Sequence, residues 1–154
     1  MIIDAHMHIW NRIEGCVGGE QPVLPLDSGR IMVGGKEILG MPACFRDSTA
    51  PAEYVLGEFD ATGVAAGVVV QEYLDGPQNN YLLETSLRYP GRFFMHALPD
   101  FFDLDGVTLE VSALFDRGFR GLKLCAGHLL GKVSLDDRRL FPIWERMEAE
   151  GLVL

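Results

Sequence analysis

Long apolar runs are missing from this chain of 154 residues. None approaches the roughly 20 residues needed to cross a bilayer, and no basic stretch followed by an apolar one opens it. A soluble protein, unprocessed at its N-terminus, is therefore expected. Basic charge is scarce as well: 13 Lys and Arg stand against 22 Asp and Glu, a formal net charge of −9. That balance excludes nucleic acid and an anionic membrane as partners. Cysteine is represented by Cys16, Cys44 and Cys125 alone, an odd number whose spacing fits neither a zinc knuckle nor a CxxC pair. With no disulfide framework, the cytoplasm is the expected compartment. The Gly-rich phosphate loop that dinucleotide folds carry after their first strand is absent too. What is present is 48% hydrophobic and 10% aromatic residues, enough apolar material for a real core, and intrinsic disorder is excluded.

Short apolar runs alternate with helical patterns. Residues 2–6, 65–71 (AAGVVVQ), 92–98 (RFFMHAL) and 119–125 (FRGLKLC) read as strands, and a fifth would start at Leu152. Between them lie helices. The first opens at Thr49-Ala50-Pro51, with Thr49 or Ser48 as cap and Val55, Leu56 and Phe59 as inner stripe, and stops at Gly63. The second starts near residues 77–79 and carries Tyr81, Leu82 and Leu87; the third uses Val107, Leu109, Val111, Leu114 and Phe115. The fourth runs from about Asp136 through Leu140, Ile143, Trp144 and Met147 to Gly151. One strand and one helix every roughly 27 to 30 residues is the βαβ unit of a parallel sheet, so the class is α/β. An open doubly wound sheet and a closed barrel both accommodate that repeat. Residues 11–48 break the rhythm: they are Gly-rich, and residues 30–38 read as a hairpin turned at Gly34-Gly35. An excursion of that length at the C-terminal end of a parallel strand commonly covers a site; a surface hairpin is the alternative.

The sharpest chemical signal is Asp4-Ala5-His6-Met7-His8-Ile9-Trp10. Alternation along a strand points Asp4, His6 and His8 to one face, where two imidazoles at i and i+2 can reach one metal ion. Neutral imidazole suits Zn, Fe, Mn or Ni, and a nearby carboxylate can fix the ring tautomer by accepting the second N–H.

At these residues the chain resembles the amidohydrolase superfamily, and more closely its aminocarboxymuconate-semialdehyde-decarboxylase-like branch. The resemblance rests on IIDAHMHIW at the start, GRIMVGGKEILGMPACF in the loop, APAEYVLGEFDATGVAAGVVVQ, RYPGRFFMHALPD, and FRGLKLC followed by LFPIWERMEAEGLVL. It implies the first half, four to five βα units, of a TIM-type (β/α)8 barrel of the metallo-dependent hydrolase kind. Residues 1–154 would be the N-terminal portion of one such domain, with the insertion at 11–48. It also implies that His6 and His8 are the metal-ligating pair of the first strand, and that a later His and a catalytic Asp lie beyond Leu154. A full barrel takes about 250 residues, at least about 200. The expectation is therefore a piece of a longer chain, with a half-barrel completed by another chain as the alternative.

Lys123 and Cys125 fall on one face of the fourth strand, Glu72 at the end of the second and His96 near the end of the third, where barrel sites collect polar groups. Lys123 is read as a contact for a substrate anion or as a plain charge in the lumen. Glu72 and His96 are read as site residues or structural hydrogen-bond partners. Arg46, beside Asp47, offers a guanidinium fork for a carboxylate or a surface pair. Trp10 is a further candidate for substrate contact. His128 is expected to be an exposed loop residue.

The resemblance implies a metal-dependent hydrolase acting through a metal-activated water on a small carboxylated substrate: a lactone, ester or amide. One divalent ion is implied, zinc before manganese or others, although metal-independent relatives exist. A non-oxidative decarboxylase of the same branch is the alternative, and a non-catalytic binding or assembly half-barrel is the rival of another class. The expected partners are a small-molecule substrate, with a homo-oligomer or a complementing C-terminal half left open.

Overall fold

A computed structural model describes residues 1–154 apart from the side chain of His128, so the expectation for that residue lies outside the described set. Strand β1 (Ile2–Met7) opens the chain. Four short strands follow: β2 (Cys16–Val17), β3 (Gln21–Pro25), β4 (Arg30–Val33) and β5 (Lys36–Leu39). Then α1 (Ala52–Thr62), β6 (Val64–Val69), α2 (Asn79–Arg88), β7 (Phe93–Ala97), α3 (Val107–Asp116) and β8 (Gly121–Leu122) alternate. The short α4 (Ala126–Leu129) and α5 (Phe141–Glu150) come last.

The main sheet has the order β1-β6-β7-β8, every pair parallel. Each strand lies beside the next of its sheet in chain order, as successive βα units do in a barrel, so the architecture is a parallel half-barrel. Val153 adds a parallel bridge to Gly121 where a fifth strand was expected. The fourth strand is shorter than its apolar run: Arg120 and Lys123 still donate to the Met95 and Ala97 carbonyls of β7, but only Gly121 and Leu122 keep ladder geometry.

The core lies between this sheet and the helices, where Met7, Phe59, Leu82, Val111, Phe115 and Ile143 are buried together. Gly67 lets strand β6 pack closely against β1 and α1 there. A Cβ on it would sit 2.4 Å from Met7 Sδ and 2.9 Å from Phe59 Cζ. Two members of the expected stripes are exposed instead, Leu87 and Leu109. Leu109 is two positions from buried Val107, which is about 200° of helical rotation, and Leu87 is five from Leu82, about 140°. The cap of α1 also differs. Pro51 holds that position without a side-chain bond, because the Ser48 hydroxyl donates instead to the Leu26 and Arg30 carbonyls, at 2.7 and 3.2 Å.

The insertion is a second sheet, antiparallel throughout, in the order β2-β3-β4-β5. Its hairpin turns at Gly34 and Gly35, whose φ values of 56° and 77° are the paired left-handed conformations of a two-residue I′ turn. Trp10 and Ala50 exchange backbone hydrogen bonds of 3.0 and 3.1 Å, which pinches the insertion at its neck. Trp10, Ile13, Val23, Ile31 and Ala50 form its own small core. The sheet rests on the loops at the C-terminal ends of the parallel strands. Glu14 and Cys16 donate to the Asp75 and Tyr73 carbonyls, and Lys132 Nζ donates to Gly18 O at 2.9 Å and pairs with Glu20 at 2.7 Å. Among the described residues no helix is long and apolar enough to cross a membrane.

Candidate functional site

Alternation along β1 sends Met7 into the core and leaves His6, within the strand, and His8, the residue just past its end, together on the other side. Their ring centroids are 5.0 Å apart with the planes at 72°. The pairing with β6 is irregular here: from Asp4 to Met7 the strand advances three residues while its partner advances two, from Gly67 to Val69. Such a bulge re-aims side chains next to sites. It also changes what Asp4 does. Asp4 Oδ1 accepts the backbone N–H of His6 at 3.0 Å, so the carboxylate is spent on the turn of the strand rather than on an imidazole. The ring of His8 is oriented by a carbonyl instead: its Nδ1 lies 3.0 Å from Val70 O. A carbonyl can only accept, so Nδ1 carries the proton and Nε2 keeps its lone pair.

Burial lowers the pKa of His8, with further lowering from His6 and Lys123 and partial compensation from Val70 and Glu72. Burial likewise lowers that of His96, as do the charges of His6 and Lys123. Both rings are thereby biased to the neutral form that a metal requires. Glu72 and Lys123, which follow β6 and β8 on either side of β7, meet at 2.8 Å with side chains only 20% and 16% exposed. His96 lies over β8: a Cβ on Gly121 would come within 2.7 Å of its ring. His6, His8, Glu72, His96 and Lys123 are thus gathered at the C-terminal ends of four successive parallel strands.

Two imidazoles sharing one tetrahedral ion at about 2 Å per Zn–N bond have ring centroids about 5 Å apart. The His6–His8 separation meets that requirement, and the Nδ1 bond of His8 leaves the correct nitrogen free. Among the described residues no group of three or more His, Cys, Asp and Glu is arranged to hold an ion.

The remaining candidates lie elsewhere. Trp10 is buried, its indole N–H donating to Ser48 O at 2.7 Å and its ring set edge-on to Phe45 at 6.0 Å. With His8, Phe45, Tyr54 and Val55 it lines an apolar cavity of about 590 Å³. Arg46 is exposed in a one-turn 3-10 segment, and the adjacent Asp47 has a left-handed φ of 54°. No contact joins Arg46 to the histidine cluster in the described residues. Sequence reasoning missed buried Gln71, whose side-chain amide donates to half-buried Asn79 Oδ1 and accepts the backbone N–H of buried Gln78. The available signal was a polar residue closing the apolar run AAGVVVQ. Asp75 was also missed; burial and then the charge of Glu72 push its carboxyl up to about 7.

A family model described as Amidohydrolase matches residues 3–154. No curated protein matches the chain. The structure of a probable 2-pyrone-4,6-dicarboxylic acid hydrolase from Acinetobacter baumannii with citric acid bound is similar at a TM-score of 0.63 and 19% identity, over 99% of this chain and 48% of that one. An uncharacterized TIM-barrel protein from Bordetella bronchiseptica is similar at 0.56 and 24%, over 66% and 38%. The 2,6-dihydroxybenzoate decarboxylase from Rhizobium is similar at 0.53 and 19%, over 68% and 38%. The likeness is one of fold, and the chain spans about half the length of the first of these structures and less than two-fifths of the other two.

Proposed function

The chain belongs to the amidohydrolase family, and from that premise we propose that it forms part of a metal-dependent hydrolase acting on a small carboxylated lactone, ester or amide. His6 and His8 would hold one divalent ion, zinc first, through Nε2. The observation that carries this reading is the 5.0 Å ring pair with Nδ1 of His8 committed to Val70. A divalent ion there supplies Lewis acidity, polarising a carbonyl and acidifying water.

The chain's own residues do the rest. The Val70 carbonyl keeps His8 in the tautomer that presents Nε2. Glu72 holds Lys123 at the strand ends, where its ammonium offers a charge to a substrate carboxylate. His96, biased to the neutral form, can accept or donate a proton beside that position. The apolar cavity next to His8 accommodates an unsaturated or aromatic ring, and this also supports the second reading, a non-oxidative decarboxylase. The outer edge of β1 is without a strand partner in the described sheet and is where a complementing half would pair.

The test is elemental analysis of purified protein and of the His6→Ala/His8→Ala variant. Stoichiometric metal that disappears in the variant is expected; metal retained in full would sink the assignment. A panel of carboxylated lactones and hydroxybenzoates, followed by ring opening and by CO2 release, then separates hydrolase from decarboxylase. Metal binding without turnover on either arm favours the non-catalytic half-barrel.

A further inference from the structure

Gln71 lies at the end of β6, between two residues that each touch the candidate site. Before it, Val70 offers the carbonyl that orients His8; after it, Glu72 pairs with Lys123. Its own side chain is 1% exposed, and a buried primary amide must place both its oxygen and its N–H groups. It does so with partners on two segments. Nε2 donates to the backbone carbonyl of His96 at 2.7 Å and to Asn79 Oδ1 at 2.8 Å, and Oε1 accepts from the backbone N–H of Gln78 at 2.6 Å.

Those partners extend the brace. Asn79 donates to Leu98 O and accepts from Leu98 N, at 2.9 and 3.1 Å, clamping the segment just past β7. Gln78 Nε2 donates to Arg12 O and Asp75 O, at 3.0 and 3.2 Å, and its Oε1 accepts from Asn11 N at 3.4 Å. One amide network, buried at Gln71 and Gln78, thus ties the segment after His8, the end of β6 and the end of β7. Its geometry sets where the polar groups above it stand.

We infer that Gln71 is a positioning residue of this site, fixing the Val70 carbonyl that selects the tautomer of His8 and the backbone that carries His96. The inference rests on the metal-site reading for its functional meaning, but its first consequence is a property of His8 itself. Partners one step removed from a metal ligand commonly change metal affinity about 10- to 100-fold when altered.

The experiment uses the intact protein with Gln71→Met, which removes all three hydrogen bonds. It also uses Gln71→Glu, which keeps an acceptor for Gln78 N–H but faces the His96 carbonyl and Asn79 Oδ1 with oxygen. NMR of the imidazole nitrogens reads the tautomer of His8, and competition with a chelator reads affinity for zinc ion. In the parent protein His8 is expected as the Nδ1–H tautomer. In either folded variant a mixture of tautomers is expected, with zinc affinity reduced about 10- to 100-fold. A merely structural role would lower the melting temperature and leave the tautomer alone, so a pure Nδ1–H tautomer in a folded variant overturns the inference. If Q71M does not fold, Q71E decides. If the parent protein binds no zinc, the metal reading fails by itself while the tautomer still tests Gln71.

Discussion

Asp75 shows at the scale of one residue what burial does to a charge. Its carboxyl is raised from 3.8 to about 7 by desolvation, and further by Glu72. The folded state therefore holds a proton that the unfolded state releases, and stability falls as pH rises from about 4 through about 7. Asp75→Asn removes that loss. Urea denaturation at pH 8 is expected to show the variant more stable by roughly 1–3 kcal/mol, with the difference vanishing near pH 4. The Glu72–Lys123 pair works in the other direction. Lys123→Met strands a largely buried carboxylate from its 2.8 Å partner and is expected to cost roughly 3 kcal/mol, part of which Glu72→Gln restores in the double variant. At this scale the sequence was legible for His6 and His8, whose alternation is a property of any strand, and for Lys123, Glu72 and His96 as strand-end groups. It was illegible for Asp4, because the bulge that turns its carboxylate onto the backbone arises from pairing with β6.

Elements were readable where their period is local. The helical stripe Val55, Leu56 and Phe59, the stop at Gly63 and the Gly34-Gly35 hairpin follow from spacing and turn chemistry alone. Gly34→Asn is expected to leave the melting temperature within a few degrees, since Asn tolerates the left-handed conformation that a I′ turn requires. Gly67 is different. Its hydrogen is demanded by Met7 and Phe59 from two other elements, and Gly67→Ala should cost roughly 1–3 kcal/mol by overpacking, measured by chemical denaturation. The insertion was read as one hairpin and is a four-stranded antiparallel sheet. The strands β2 and β3 were missed because Gly and Pro punctuate them, and what completes them is backbone pairing with each other and with the loop at Tyr73.

Across the chain, a parallel half-barrel brings its strand ends together at a polar cluster beside a docked antiparallel sheet. If that cluster binds metal in the folded state alone, metal must add to global stability, by about 2.7 kcal/mol at a free concentration one hundred times the Kd. Calorimetry is expected to show a lower melting temperature after chelation, and the His6→Ala/His8→Ala variant should melt at the same temperature with and without chelator. The sequence by itself determined the alternation of strands and helices, the family, and two imidazoles two residues apart at the end of the first strand, because apolar period and side-chain alternation act over a few residues. Only the tertiary structure decided that His8 is held by a carbonyl 62 residues away, that Glu72 meets Lys123, and that Gln71 braces His96. Those partners are chosen by the register between distant strands, and register is the outcome of packing the whole sheet at once.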